Sequence, residues 1–227
     1  MKIFVIIPSF NEAERIGRVL EELSILPYQV VVVDDGSSDQ TAEVLKNYSV
    51  DYLRHKINRG QGAALRTGTD YALEQGADII VHFDADGQFL TTEIEKIIYP
   101  LKNQEIEIVF GSRFLGIKSE INFLKKFFIL PFAHLVNFLF FGIRTTDPQN
   151  GFRAFKSSVA KKIQIEQDGG AHCSEILAKA FQNKLKWKEV PVTVLYNRFG
   201  QSVFASRGRG QSGLQILRDL LFSKIIK

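Results

Sequence analysis

Along this chain, short unbroken runs of Val, Ile and Phe alternate with stretches in which apolar residues recur every three or four positions. The runs cover residues 2–7, 29–33, 77–83 and 107–110. They are rich in β-branched side chains and continuously apolar rather than alternating, which predicts strands buried on both faces of a mostly parallel sheet. Between them the period is helical. Residues 11–23 place Ile16, Val19, Leu20 and Leu23 on one stripe, and residues 61–75 carry Ala64, Leu65, Gly68 and Ala72 at similar spacing. Ser38 or Asp39 is placed to cap a helix over residues 41–47, and Thr91 or Thr92 one over 93–102. The pattern reads βαβαβαβ, one half of a doubly wound α/β fold.

Composition narrows the class without changing that picture. A chain of 227 residues, 45% hydrophobic and 24% charged, suits one α/β domain with a full core and excludes global disorder. A net charge of +4 and a pI near 9.1 fit phosphate-bearing substrates or an anionic membrane surface and demand neither. The sole cysteine, Cys173, has no partner for an internal disulfide, which points to a reducing compartment and so to the cytoplasm. The apolar run at the amino end stops at Pro8, too short for a signal peptide. The longest uncharged stretch, residues 127–143, sits at the lower limit for crossing a bilayer and contains Pro131, His134 and Asn137, which argues against a span. No repeat or linker divides the chain, although its character changes after Leu115; residues 1–227 are expected to form one domain with a more apolar second half.

Ligands of doubly wound sheets sit beyond the carboxyl ends of the strands, and the residues there are unusually polar. They are Ser9-Phe10-Asn11-Glu12, Asp34-Asp35-Gly36-Ser37, Asp84-Ala85-Asp86-Gly87-Gln88 and Gly111-Ser112-Arg113. Carboxylates two apart at a strand exit, as in Asp84 and Asp86, point to one side and can share a cation. Hard oxygen ligands of this kind suit Mg²⁺ or Mn²⁺ holding a diphosphate, with Gln88 as a further oxygen donor. A turn rich in Asp and Gly that caps a helix is the competing reading. Asp34-Asp35 offers carboxylates to a ribose hydroxyl or a base N–H, or else a capped turn. Asn58-Arg59-Gly60-Gln61-Gly62-Ala63-Ala64 opens a helix with backbone N–H groups expected to approach phosphates. It lacks the GK[ST] ending of a P-loop and does not match GxGxxG, which removes the main support for ATPase and dinucleotide readings.

Taken in order and spacing, Pro8-Ser9-Phe10-Asn11-Glu12, Val33-Asp34-Asp35-Gly36-Ser37-Ser38-Asp39, Asn58-Arg59-Gly60, Asp84-Ala85-Asp86-Gly87-Gln88 and Gly111-Ser112-Arg113 resemble family 2 glycosyltransferases of the GT-A fold. Thr146-Asp147-Pro148-Gln149-Asn150-Gly151-Phe152-Arg153 resembles the segment marking the branch of dolichyl-phosphate mannose synthase and bacterial polyprenyl-phosphate glycosyltransferases. The resemblance spans roughly residues 3 to 202. It implies that Pro8, Phe10, Glu12 and Asp35 hold the nucleoside, that Asp84, Asp86 and Gln88 hold the metal, and that Ala85 touches the donor through its backbone. It makes residues 1–115 the nucleotide-sugar half and 116–227 the acceptor half. Arg113 would bind phosphate through its guanidinium, as would Arg198 in Tyr196-Asn197-Arg198-Phe199-Gly200-Gln201-Ser202. Here the chain departs from the family pattern, with Val203 where a lysine is common; Arg207 or Arg209 would have to compensate.

The implied chemistry is a single inverting displacement at the anomeric carbon of a hexose carried by GDP or UDP, through an oxocarbenium-like transition state. A lipid phosphate acceptor arrives ionised and needs no general base. A sugar hydroxyl acceptor would need one, and Asp147 and Glu175 are the candidates. Residues 121–143, where Lys125 and Lys126 precede phenylalanine-rich sequence, and the amphipathic stretch 214–227 are expected to meet the bilayer interface, with packing on the core or a dimer face as the alternative. The expected partners are therefore a nucleotide-sugar, a polyprenyl phosphate and the cytoplasmic membrane face, with peripheral attachment and no nucleic acid. A nucleotidyltransferase would carry a glycine-rich, basic loop after its first strand, where this chain has Pro8 to Glu12. A non-catalytic binding module would be expected to lack a metal carboxylate or the phosphate arginine. The QxxRW-type motif of processive polysaccharide synthases does not appear near Trp187.

Overall fold

The structure is a computed structural model that describes residues 1–115 and 145–195. The expectations for residues 121–143 and 214–227, and for Arg198, Arg207 and Arg209, lie outside the described residues. Strands β1 (Ile3–Ser9), β2 (Gln29–Asp34), β4 (Ile79–His82) and β5 (Ile108–Ser112) fall on the apolar runs. Helices α1 (Ile16–Ser24), α2 (Thr41–Leu45), α3 (Gln61–Glu74) and α4 (Ile94–Asn103) fall on the periodic stretches. The helix expected from residue 11 begins five residues later, because residues 11–15 form the turn that leaves β1. Neither expected cap makes the N-cap bond; Asp39 instead accepts the Thr41 backbone N–H (3.0 Å), and a 3-10 turn, Thr91–Glu93, leads into α4.

Three strands were not signalled by the apolar runs: β3 (Asp51–Arg54), β6 (Arg153–Lys156) and β7 (Trp187–Pro191). β3 and β7 are edge strands with half-exposed residues and mixed polarity, while β6 is short and begins with a charge. Two further helices, α5 (Ser157–Ala160) and α6 (His172–Gln182), accompany them. The seven strands form one sheet in the order β3-β2-β1-β4-β6-β5-β7. All pairings are parallel except those of β6, which runs antiparallel between β4 and β5. The segment after residue 145 therefore completes the sheet begun by the first half.

Both faces are covered, which is why β1 is buried at every position. One face packs Val5, Ile7, Val32 and Val81 against the stripes of α1 and α4. The other packs Phe4, Ile6, Val31 and Ile80 against α3 and α6. α3 lies very close: a Cβ at Gly68 would collide with Ile6 Cγ2 and come within 3.1 Å of Val33. That explains a helix stripe built of Ala and Gly rather than Leu. Among the described residues no helix is long and apolar enough to cross a membrane.

Candidate active site

Strand order turns at β1, which has β2 on one side and β4 on the other, so the crevice opens where the exits of these strands meet. Leaving β1, Asn11 adopts a left-handed backbone (φ 56). Its Oδ1 accepts the Ser38 N–H (2.9 Å), while its own N–H donates to Ser37 Oγ (3.0 Å), stitching the first exit to the second. Pro8 is buried within β1, and the Phe10 ring is 43% exposed. Glu12 is buried; its N–H donates to Thr41 Oγ1 (2.9 Å) and its carboxylate pairs with Arg15 (2.9 Å). Burial above all, with the nearby Asp86 and Asp39 charges and against the pull of Arg15, raises its pKa to about 7.

At the second exit the two aspartates are already engaged. Asp34 accepts the Ser37 N–H (2.8 Å) and the Tyr52 hydroxyl (3.0 Å), and lies 3.4 Å from Arg54 Nε. Asp35 accepts the N–H groups of Arg59 (3.0 Å) and Gly60 (2.6 Å) and the ring of His55 (2.6 Å). The amides at the start of α3 have partners as well, for Gly62 and Ala63 donate to the Asp168 carbonyl (2.8 and 3.2 Å). The expectation that this glycine-rich loop presents its amides to phosphates is thus corrected. Its glycines serve close packing: a Cβ at Gly60 or Gly62 would collide with the carbonyls of Asp168 and Gln167.

The third exit brings two carboxylates together, Asp84 and Asp86, with few hydrogen-bond donors. Asp86 Oδ1 accepts the Gln88 N–H (3.0 Å), and Gly87 takes a left-handed φ of 71°, closing a tight turn. The Gln88 carbonyl accepts the Leu195 N–H (2.8 Å). Asp84 Oδ1 accepts one bond from the Gln61 side-chain amide (2.9 Å), reached from the head of α3. Burial, and then the Asp86 charge, push Asp84 up to about 7; burial raises Asp86 too. Two carboxylates that resist ionising beside each other are what a divalent cation would relieve, so the donor set fits Mg²⁺ or Mn²⁺. Among the described residues no three His, Cys, Asp or Glu side chains form a closed metal cage. Phe152 packs against Phe83 (5.1 Å) and Phe89 (5.2 Å), the residues that bracket this turn.

Sequence reasoning missed the floor beneath Asp84. A Cβ at Gly151 would lie 2.7 Å from Asp84 Oδ2, so glycine there makes room for the carboxylate. Arg153, fully buried, donates to the Gly151 (3.1 Å) and Asn150 (2.9 Å) carbonyls and to Cys173 Sγ (2.9 Å). His172 Nε2 lies 3.4 Å from the same sulfur. Burial pushes the Cys173 thiol up, but His172 and then Arg153 outweigh it and bring the thiol to about 6. The signal was present in the string from Asn150 to Arg153, but nothing local in sequence links it to Cys173.

The fourth exit holds Arg113 and Asp147 together. Arg113 Nε and Nη2 each donate to one Asp147 oxygen (2.7 and 2.7 Å), and the Arg113 N–H adds a third bond (3.0 Å). Asn150 Nδ2 donates to Asp147 Oδ2 (3.0 Å). Glu189 on β7 holds the loop by accepting the Thr146 (2.8 Å) and Asp147 (3.3 Å) N–H groups. Glu175, the other candidate base, accepts the Glu166 (2.9 Å) and Gln167 (2.9 Å) N–H groups and pairs with Lys179 (2.8 Å). It fastens the 166–167 loop to α6. The structure therefore brings Glu12, Asp84, Asp86 and the Gln88 turn together across the strand exits, and gives both candidate bases other partners.

Comparisons with known proteins give the family and the fold. The sequence profile of glycosyl transferase family 2 matches residues 4–164. A UDP-N-acetylglucosamine–dolichyl-phosphate N-acetylglucosaminyltransferase of Methanococcus voltae is 36% identical, over 99% of this chain and 97% of its own. An undecaprenyl-phosphate mannosyltransferase of Micrococcus luteus is 25% identical, over 96% and 93%. Among solved structures, glucosyl-3-phosphoglycerate synthase of Mycobacterium tuberculosis, in complex with Mn²⁺, UDP-glucose and phosphoglyceric acid, superposes with a TM-score of 0.67 at 18% identity, covering 87% of this chain and 72% of that one. That likeness shows the GT-A fold.

Proposed function

We propose that this chain, which belongs to glycosyl transferase family 2, transfers a hexose from a GDP- or UDP-sugar to a polyprenyl phosphate, with inversion and with Mg²⁺ or Mn²⁺, at the cytoplasmic membrane face. The chain is a glycosyltransferase, and relatives across nearly its whole length are named for polyprenyl-phosphate acceptors. The observation that carries the acceptor reading is the state of the two candidate bases. Asp147 is bound through both oxygens by Arg113, and Glu175 is bound by two loop amides and Lys179. Neither is left to deprotonate a hydroxyl, whereas a phosphate monoester with a second pKa near 6 is already a nucleophile at neutral pH.

The residues divide the work by position. Phe10 offers an exposed ring for the base, beside the wall formed by the Asp35 turn and the 58–60 loop. Asp84 and Asp86 would hold the cation, with Gln88 closing the turn; the bound cation would neutralise charge on the departing nucleoside diphosphate. Gln61 holds the Asp84 carboxylate by one hydrogen bond, and Gly151 leaves the room it occupies. Asp147 fixes the plane of the Arg113 guanidinium, which would address phosphate charge. Relief of the Asp84–Asp86 repulsion by a cation favours donor binding at neutral and higher pH, where both carboxylates can ionise.

The test is product formation from radiolabelled GDP- and UDP-sugars with Mg²⁺ or Mn²⁺, offering polyprenyl phosphate or soluble sugar acceptors. Label extracted into organic solvent is expected, with loss of about 10²–10³-fold in rate for Asp86→Ala. Label confined to soluble sugar would move the acceptor to a hydroxyl, and transfer without metal by a fully active Asp86→Ala enzyme would overturn the cation's role.

A further inference from the structure

His55 was not singled out by the sequence, yet it is the side chain that reaches Asp35. Its Nδ1 lies 2.6 Å from Asp35 Oδ1 and its Nε2 lies 2.9 Å from Thr67 Oγ1. The ring meets Asp35 through Nδ1 and shares a hydrogen bond with the Thr67 hydroxyl through Nε2. The imidazole is 10% exposed and links three elements: the loop after β3, the turn after β2, and α3 through Thr67.

What His55 holds is a wall of the crevice. Asp35 in turn holds the N–H groups of Arg59 and Gly60. The next residue, Gly36, has a φ of 75°, and a Cβ there would lie 2.8 Å from the Ile57 carbonyl carbon and 2.9 Å from the Asn58 nitrogen. The turn at 35–37 and the loop at 55–60 therefore press against one another backbone to backbone. Their mutual position is set by hydrogen bonds that converge on one buried carboxylate. Burying that carboxylate without its full set of donors is costly, so losing the imidazole would loosen both segments together.

We propose that His55 is a positioning residue for nucleotide binding: through Asp35 it fixes the wall against which the nucleoside of the donor rests. The inference rests on the donor-site reading given above. His55 touches no reacting atom, so its loss acts on donor affinity and leaves the chemical step nearly unchanged.

The experiment is calorimetric binding of UDP and of GDP with Mn²⁺ to wild type, His55→Leu, His55→Asn and Thr67→Val, together with donor KM and kcat. His55→Leu removes both bonds. His55→Asn keeps an amide N–H at the Nδ1 position facing Asp35. We expect His55→Leu to weaken binding of the preferred nucleotide and raise donor KM by about tenfold, with kcat within about twofold, and His55→Asn to restore most of the loss. Thr67→Val, which leaves the Asp35 bond in place, is expected to cost about two- to threefold. Equal nucleotide affinity in wild type and His55→Leu would overturn the inference alone, as would a loss confined to kcat or a failure of His55→Asn to rescue a folded protein. Wild type that binds neither nucleotide would overturn the donor-site reading and this inference with it.

Discussion

The two acidic centres of the crevice are built in opposite ways. At the Asp84–Asp86 turn, negative charges are gathered with few partners, and burial together with mutual repulsion lifts Asp84 to about 7. At the fourth strand exit, Asp147 meets a guanidinium through both oxygens and gains bonds from Asn150 and the Arg113 N–H. At the first, burial and mutual repulsion outweigh the pull of Arg15 on Asp86 and of His172 and Arg153 on Asp84; the second meets its counter-charge directly in Arg113. A carboxylate in a cleft is therefore not a general base by location alone. What surrounds it decides whether it binds a cation, aims an arginine or takes a proton.

That contrast can be broken at each side. Apart from substitution of the two metal carboxylates themselves, the largest effect is expected on the compensated side, from Asp147→Ala. Loss of a buried partner of Arg113 should cost about 1.5–3 kcal/mol, or roughly 3–12 °C in Tm, and reduce activity about 10- to 100-fold. Asp147→Asn, which keeps one acceptor for Arg113, should retain more of both. Were Asp147 the base, the Asn variant would be as inactive as the Ala variant, although it keeps more of the Tm.

A smaller effect is expected at the Asp84–Asp86 turn, from Gly151→Ala. The added methyl meets the flexible end of Asp84 rather than backbone, so Tm should stay within about 2–4 °C of wild type. The displaced carboxylate should weaken apparent Mn²⁺ affinity in activity titrations by about 10-fold. Unchanged metal dependence would show that Asp84 is not held where a cation needs it.

The smallest effect is expected from Glu175→Gln, with kcat within about threefold, since the carboxylate fastens a loop through two backbone N–H groups. A fall of 10² or more with Tm intact would restore the general-base role and the hydroxyl acceptor.

The strands and helices of the first half were legible because burial on two faces writes a continuous apolar run, and one buried stripe writes a 3.6-residue period. Edge strands β3 and β7 write neither, and β6 is four residues long and opens with the buried Arg153. In the site, residues contributed by one turn were readable: Asp84, Asp86 and Gln88 follow a strand directly. Contacts across the chain were not. The partnership of Arg113 with Asp147, of Asp35 with His55, and of Asp84 with Gln61 and Gly151 exists only once the sheet brings four strand exits together. The amides of the glycine-rich loop looked free in sequence because their acceptors, Asp35 and the Asp168 carbonyl, are remote from it.

Direct Mn²⁺ binding, followed by electron paramagnetic resonance, tests the Asp84–Asp86 turn as a cation site for the donor diphosphate. Because the pKa of Asp84 is raised to about 7, protons compete with the metal as pH falls through that value. In the apoprotein the same group favours the folded state at low pH, and this contribution is lost as pH rises from about 4 to 7. The account predicts one Mn²⁺ bound per chain at pH 8 in the presence of UDP or GDP, much weaker binding at pH 5.5, and none in Asp84→Asn or Asp86→Asn. Mn²⁺ bound equally by wild type and both variants, or binding that strengthens on acidification, would contradict it.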